Sequence, residues 1–276
     1  MPQQPETLTA WLAFLRQADI PVLRHTAREL ERLRADESLL NARSIADVVT
    51  DDPLMTAKLL RFLQTHKHRN QKYELVDVKQ ALLMLGLDTF FREVPATPVA
   101  EDMLQDHRAA LVHLLQTARR AQRAAYYAYD WALRLHDLHA EEVYVSALLI
   151  NVSEMLMWAF NPGPMLEIAR RQAADTGLRS VDVQQQVLGF AGVDLQRQLT
   201  TEWQLPELLR NLTDPALSNT TRVRNVVLAA NLSRHSAQGW DNAALPDDYR
   251  AIAALLRMEP DKVMALVKRP PAIAQD

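Results

Sequence analysis

The His136-Asp137 doublet, followed by His139, has the residue types that could hold a catalytic metal ion. In helical phosphohydrolases, the imidazole and carboxylate of such a doublet bind a divalent ion that activates water. That chemistry also needs a His upstream and an Asp downstream, all projecting into one cavity. His107 and His113 lie upstream, but a separation of six residues does not place them on one helix face. The doublet therefore supports two interpretations: a metal-dependent phosphohydrolase site, or solvated side chains near a helix C-terminus.

Other catalytic classes find little support in the composition. The sequence has no cysteine, which excludes thiol catalysis, zinc ribbons and iron–sulfur clusters. Only six of its 276 residues are glycine, and no serine lies in a Gly-x-Ser-x-Gly elbow. The acidic pair Glu141-Glu142 stands at a predicted helix start, where carboxylates complement the helix dipole. This pair is therefore interpreted as structural and not as an acid/base couple.

Basic and aromatic clusters raise the alternative of a nucleic-acid-binding regulator. Arg119, Arg120 and Arg123 lie close together on one predicted helix, and residues 66–72 (HKHRNQK) form a basic loop. The formal charge of −3 and a pI of about 6.3 argue against a protein that neutralises many phosphates. The aromatic run 126–131 (YYAYDW) covers all sides of a helix, so we expect at least two of its rings to lie in the core.

The apolar residues recur with a period close to 3.6 along nearly the whole chain, which predicts an all-α fold. Ser44 and Asp52 are predicted N-caps, the latter followed by Pro53 at the first helical position. In the helix after Asp52 an apolar stripe includes Met55 and Leu59, while Lys58, Arg61 and Gln64 are expected to face away. Helices are predicted over 7–17, 22–34, 44–50, 53–66, 78–85, 100–136 with one break, 140–160, 165–175, 180–190, 193–203, 205–212, 219–236, 248–257 and 260–268. Gly86 is a predicted left-handed helix terminus.

No targeting or membrane segment is apparent in the sequence. The N-terminal residues show helical spacing without a basic region before the apolar ones. The most apolar stretch, 143–160, contains Asn151 and Glu154, which make it a poor bilayer span and a plausible buried helix. We therefore expect a cytoplasmic protein that does not enter a membrane.

Several segments in one order resemble the HDOD domain, a bacterial regulatory family related to the HD phosphohydrolases. They are 20–23 (IPVL), 45–49 (IADVV), 52–61 (DPLMTAKLLR), 78–87 (VKQALLMLGL), 141–149 (EEVYVSALL), 203–207 (WQLPE) and 226–231 (VVLAAN). The resemblance covers about residues 20–235. It implies an HD-domain-like multi-helix bundle in two abutting lobes, with 1–276 as a single HDOD-like region. Residues 1–98 would form a smaller N-terminal lobe and residues 99–276 a larger HD-like lobe, joined around 95–110.

The same resemblance implies that the metal ligands of an HD enzyme are missing. The upstream metal His aligns near Ala121, and the His-Asp doublet aligns with Ile150-Asn151, of which only the weak ligand Asn could coordinate a metal. The resemblance therefore predicts no catalytic, cofactor-binding or metal-binding residue and no cofactor. Asn151 is expected to be mostly buried and hydrogen-bonded.

The function implied by the resemblance is signal transduction by protein–protein contact. The expected partners are other signalling proteins, such as response-regulator or cyclic-dinucleotide modules, whereas nucleic acid and membranes are not expected. We expect the interaction surface on the 107–137 helix or in the basic loop at 66–72. A divergent phosphohydrolase and a nucleic-acid-binding regulator remain the alternatives.

Overall fold

The computed structural model describes residues 5–36, 38–66, 77–175 and 177–268. Regular secondary structure in these ranges is helical, which confirms the predicted all-α class. The α-helices are α1 (Leu8–Gln17), α2 (Arg24–Ala35), α3 (Ala42–Thr50), α4 (Pro53–Thr65), α5 (Val78–Leu85), α6 (Leu87–Glu93), α7 (Ala100–Met103), α8 (Arg108–Arg134), α9 (Ala140–Leu149), α10 (Val152–Phe160), α11 (Pro162–Ala174), α12 (Ser180–Leu188), α13 (Gly192–Glu202), α14 (Glu207–Asn211), α15 (Thr221–His235), α16 (Leu245–Leu256) and α17 (Pro260–Val267), with a 3-10 turn at Pro215–Leu217.

The chain forms two compact units that alternate along the sequence. The first comprises Met1–Ala118 and Asn151–Leu205, and the second comprises Arg119–Ile150 and Pro206–Asp276. Helix α8 contributes its first part to one unit and its second part to the other. The subdivision into lobes 1–98 and 99–276 stays a prediction.

The core of the first unit surrounds α3, which packs against α2, α4 and α5. Its apolar positions follow the helical period, so that Ile45 and Val49 point to the same side and are fully buried. Met55, Leu59 and Leu82 complete this core from α4 and α5. An isolated parallel bridge between Val22 and Val99 also lies in this unit.

Asp52 is the N-cap of α4, as predicted, and has a wider structural role. Its carboxylate accepts hydrogen bonds from the backbone N–H of Leu54 (2.8 Å) and Met55 (3.2 Å), the free donors of the first helical turn. The other oxygen accepts from the N–H of Leu23 (2.8 Å) at the start of α2. Asp52 is completely buried, and burial raises the pKa of its carboxyl group against the effect of these hydrogen bonds.

The prediction that the polar side of α4 faces away is wrong. Lys58 and Gln64 are buried and Arg61 is half-buried, because α4 is packed on nearly all sides. The ammonium group of Lys58 donates to the Asp19 carboxylate (2.6 Å) and to the carbonyls of Ile20 and Thr97. Its burial lowers the pKa of the Lys58 ammonium group, although the ion pair with Asp19 opposes that shift.

Arg61 also forms hydrogen bonds at the point where α1 ends and the connection to α2 begins. Its guanidinium group donates to the carbonyls of Leu15 (3.1 Å) and Ala18 (2.8 Å) at the end of α1. It lies over the ring of Trp203, 5.2 Å from the centroid, as a cation–π contact. Arg61 therefore satisfies carbonyl groups that the end of α1 leaves without helical partners.

Several predicted helix boundaries shift in the structure. Asn41, not Ser44, caps α3, and its side chain accepts from the N–H of Ser44 (2.9 Å). A short helix that was not predicted, α6, follows Gly86, whose φ of 78° and ψ of 145° lie outside the predicted left-handed helical region. The predicted helix 140–160 is interrupted at Asn151, a residue of low helix propensity.

The second unit is built around α15, which packs against α9, α14 and α16. Tyr127 and Trp131 on α8 are buried, which confirms that at least two rings of the aromatic run lie in the core. The Tyr127 hydroxyl donates to the carbonyl of Val267 (3.0 Å). The Asn225 amide donates to the carbonyl of Ala128 (2.9 Å), so α15 is also tied to α8 by a buried hydrogen bond.

The segment Ala140–Phe160 is long and apolar enough to cross a membrane by length and composition alone. However, 72% of its most apolar window is buried inside the protein, as in the core helix of a globular protein. The segment is therefore only weak evidence for a membrane span.

Candidate functional site

The His136-Asp137 doublet lies in a hinge, residues 135–139, between α8 and α9. The hinge begins with a Schellman motif, in which the N–H of Asp137 donates to the carbonyl of Ala132 and the N–H of His136 donates to that of Leu133. His136 is the left-handed residue of this motif, with a φ of 54°. Its side chain is exposed. The motif explains how α8 ends, and it fixes the direction in which the hinge leaves the helix.

The Asp137 carboxylate forms an ion pair with Arg222 on α15. The Nε of Arg222 donates to Oδ2 (2.7 Å) and its Nη2 donates to Oδ1 (2.7 Å), a bidentate ion pair. Oδ1 also accepts from the backbone N–H of His139 (2.9 Å). Partial burial alone would raise the pKa of Asp137, but the hydrogen bonds from Arg222 and His139 outweigh it and lower this pKa.

Glu142, in the first turn of α9, is the second acid that contacts Arg222. Its Oε2 accepts from Nη1 of Arg222 (3.4 Å), and its Oε1 accepts from the N–H of Leu208 on α14 (3.3 Å). The Asp137 and Glu142 side chains are both 14% exposed, whereas the Arg222 side chain is 36% exposed. One guanidinium group thus connects the hinge, α9 and α15.

A cavity of about 420 Å³ opens beside these ion pairs, and we call it the Arg222 cavity. Three carboxylates line it against one guanidinium group, since Glu207 joins Asp137 and Glu142. Glu207 is exposed at the start of α14. The remaining lining combines amide and hydroxyl groups with apolar side chains: Asn211, Thr220, Thr221, Leu208, Leu217 and Val223.

Leu138 projects from the hinge into solvent. Its exposure of 95% is the highest among the exposed large apolar residues of the described chain. Leu133, in the last turn of α8, is 53% exposed. The residues on both sides of Leu138 are held by the hydrogen bonds of Asp137 and His139, so the exposed side chain stands on a fixed backbone.

The positions that the resemblance aligns with metal ligands are occupied as follows. Ala121 is completely buried in the second unit, and Ile150 packs against the core of that unit. Asn151 is partly exposed, but most of its surface is covered, as predicted. It stands at the N-cap of α10 without a side-chain capping hydrogen bond, because its backbone conformation lies outside the extended region typical of that position.

The histidines and carboxylates of the described residues do not form any group of three or more that could hold a metal ion. His107 is exposed near the start of α8. His113 stacks on Trp158 within the first unit, with ring centroids 4.6 Å apart and planes 7° from parallel. The described histidines thus occupy separate structural environments.

The predicted arginine cluster on α8 is not uniformly exposed. Arg119 is exposed, whereas Arg120 and Arg123 are half-buried. Arg123 donates to the Ser236 hydroxyl (2.9 Å) and lies 5.9 Å from the ring centroid of Trp240. Residues 67–72 of the predicted basic loop lie outside the described residues.

Arg222, Glu207 and Leu138 are not among the residues that the sequence singles out as candidates. Arg222 lies 85 residues after Asp137, and no local pattern marks it as the partner of that carboxylate. Leu138 does have a local signal, since it is an apolar residue between two histidines in an otherwise polar hinge.

Comparisons with known proteins agree with this helical architecture. The HDOD domain family matches residues 20–216. The structure is similar to the MmoQ response regulator from Methylococcus capsulatus str. Bath, at 17% identity and a TM-score of 0.68, covering 92% of this chain and 100% of that one. It is also similar to a virulence factor from Campylobacter jejuni subsp. jejuni, at 16% identity and a TM-score of 0.68, covering 96% of each chain.

A search of curated proteins gives no match. At such identities the two structural likenesses show the fold alone, whereas the family match extends over more than half of the sequence. The chain therefore belongs to the HDOD domain family.

Proposed function

We propose that this chain is a non-catalytic regulatory domain of a cytoplasmic signal-transduction system, and that it acts through protein–protein contacts without a cofactor. Membership of the HDOD family supports the signalling role. Other signalling proteins, such as response-regulator or cyclic-dinucleotide modules, are the partners that this role implies.

The observation that carries the non-catalytic part is the bidentate contact between Arg222 and Asp137. Both oxygens of the carboxylate accept hydrogen bonds from a guanidinium group at 2.7 Å. A divalent ion at these oxygens would have to displace the guanidinium group, and two cations cannot share the site without strong repulsion. The Asp137 carboxylate, which could have bound a metal ion, thus forms an ion pair that holds the hinge in place.

Metal content and hydrolysis test this proposal directly. The chain, purified without chelators, is analysed for iron, manganese and zinc. It is then incubated with bis(p-nitrophenyl) phosphate and with a cyclic dinucleotide in the presence of Mn²⁺. We expect substoichiometric metal and no turnover above that of Asp137→Asn. Stoichiometric metal together with turnover that this substitution abolishes would establish the phosphohydrolase instead.

A second measurement addresses the protein contacts. After reversible cross-linking in the native cells, we expect the chain to be recovered with the same protein at a constant ratio. If it elutes as a free chain from native extracts, with or without cross-linking, it does not act through stable protein contacts.

A further inference from the structure

We propose that Trp240 and the cations around it form a docking site for a partner protein segment that carries an Asp or Glu side chain beside a large apolar or aromatic one. This inference rests on the proposed function, because it names the surface and the partner chemistry of those protein contacts. We call it the Trp240 site, and its other members, all in the second unit, are Arg119, Arg123, Met264 and Lys268. The carboxylate would contact the cations, and the apolar side chain would cover Trp240.

The aromatic part of the site is Trp240, which is 36% exposed in the loop between α15 and α16. Before it, the N–H of Gly239 donates to the carbonyl of Ser236 (3.3 Å). After it, the N–H of Leu245 donates to the carbonyl of Asn242 (3.1 Å). Because both sides of the loop are held by these turns, a partner that covers the ring does not first have to order the backbone. Tryptophan is among the side chains that contribute most binding energy at protein interfaces.

Two cations lie against the ring of Trp240 without a carboxylate partner in the described chain. The guanidinium carbon of Arg123 and the ammonium nitrogen of Lys268 each lie 5.9 Å from the ring centroid. Arg123 is half-buried, and its side chain donates to the neutral hydroxyl of Ser236 (2.9 Å). An aromatic ring and a hydroxyl offset the charge of a partly desolvated guanidinium group less than a carboxylate does. A partner carboxylate therefore adds an interaction that the described chain does not supply.

Arg119 and Met264 extend the site along the two helices that carry its cations. Arg119 is exposed one helical turn before Arg123 on α8, so the two side chains leave the helix on the same side. It forms no ion pair within the described ranges of the chain. Met264 lies one turn before Lys268 on α17 and is 38% exposed. Its flexible thioether side chain offers further apolar contact to the residue that covers Trp240.

Two acidic residues near the site in the chain favour a single carboxylate over a nucleic acid as the occupant. Asp241 follows Trp240 directly, and Asp261 lies two helical turns before Lys268 on α17. Both are exposed, and neither is paired with a cation of the Trp240 site. The three cations of the site outnumber them, but a strand of successive phosphates would also meet these two negative charges. One carboxylate can contact the cations without approaching either acid.

Selection of phage-displayed random peptides on the full chain tests this inference. We expect the selected peptides to be enriched in Asp or Glu next to Trp, Phe, Leu or Ile. A selected peptide is then synthesised, and its binding is measured by fluorescence anisotropy. We expect Trp240→Ala to weaken this binding at least about tenfold, and Lys268→Gln, which removes a charge at the surface, to weaken it about threefold. The Lys262→Gln variant, which removes an exposed lysine from another side of α17, should bind as the wild type does.

An exchange of charges gives a readout that a loss of folding cannot imitate. A peptide in which Lys replaces the acidic residue should bind Lys268→Glu more tightly than it binds the wild type. A selection without enrichment in Asp or Glu, or a selected peptide that binds Trp240→Ala and Lys268→Glu unchanged, would overturn the docking site and leave the proposed signalling function standing.

A labelled single-stranded oligonucleotide is the probe for the competing class of partner. We expect it not to bind at physiological salt. Binding that Trp240→Ala abolishes would assign the site to nucleic acid and overturn the inference. Stoichiometric metal and turnover would overturn the proposed function itself.

Discussion

Replacement of Asp52 by alanine is expected to lower the free energy of unfolding by about 3–5 kcal/mol. The carboxylate is completely buried and satisfies the N–H groups of Leu23, Leu54 and Met55. Alanine would leave these donors without an acceptor in a site that excludes water, and each unsatisfied buried group costs about 1–3 kcal/mol. Urea denaturation followed by circular dichroism measures the loss.

Two further substitutions distinguish the stability contributed by the buried hydrogen bonds of Asp52 from that of an ordinary helix N-cap. Asn41→Ala removes an exposed N-cap from α3, with a single hydrogen bond to Ser44, and should cost only about 1 kcal/mol. Asp52→Asn should fall between the two, since the amide keeps one acceptor oxygen and brings no charge into the interior. Equal losses for Asp52→Ala and Asn41→Ala would show that Asp52 acts as a simple cap.

The features of the fold that the sequence predicts are those controlled by local signals. The period of 3.6 predicts the all-α class, and Asp52-Pro53 predicts the start of α4 because cap and first-turn residue are neighbours in the chain. The aromatic run predicts the buried Tyr127 and Trp131, since rings on all sides of one helix cannot all face solvent.

The polar side of α4 shows where local signals fail. Lys58 and Arg61 have the spacing of a solvated face, and the sequence alone gives no reason to bury them. Their partners are carbonyl groups of the α1–α2 connection and of Thr97, 38 to 46 residues away from them. Whether a cation on a helix is solvated or buried therefore depends on what the tertiary fold places opposite it.

The candidate site also has some features that local sequence signals predict and others that they do not. The sequence places His136 and Asp137 correctly in a hinge after a helix, and it gives the Glu141-Glu142 pair its position at a helix start. The sequence does not reveal that Arg222 donates hydrogen bonds to both carboxylate oxygens of Asp137. A contact between residues so far apart in the chain has no signature in residue spacing or helical periodicity. The interruption at Asn151 was missed for a related reason: apolar residues on both sides continue the helical period.

Replacement of Arg222 by alanine is the second substitution for which we expect a large effect. Asp137 and Glu142 would keep their low exposure but lose the cation that compensates them. Because the Arg222 side chain is itself about a third exposed, solvent screening reduces the cost, and we expect a loss of about 2 kcal/mol at pH 7. Arg224→Ala on the same helix is the matched control. Arg224 forms no ion pair within the described chain, and its loss should cost less than about 0.5 kcal/mol.

The pH dependence of the stability difference between the wild type and Arg222→Ala tests whether the loss comes from the ion pair with Asp137. Since the pKa of Asp137 is lowered in the folded protein, its ion pair stabilises the fold at pH values above the ordinary carboxyl pKa of 3.8. This stabilisation disappears as the pH falls through the lowered pKa, because a protonated Asp137 no longer needs the guanidinium group. Urea unfolding of the wild type and Arg222→Ala between pH 7 and pH 3 should therefore give a difference that is constant above about pH 5 and shrinks below pH 4. A difference that stays constant to pH 3 would mean that Arg222 stabilises the unit through packing of its side chain and not through Asp137.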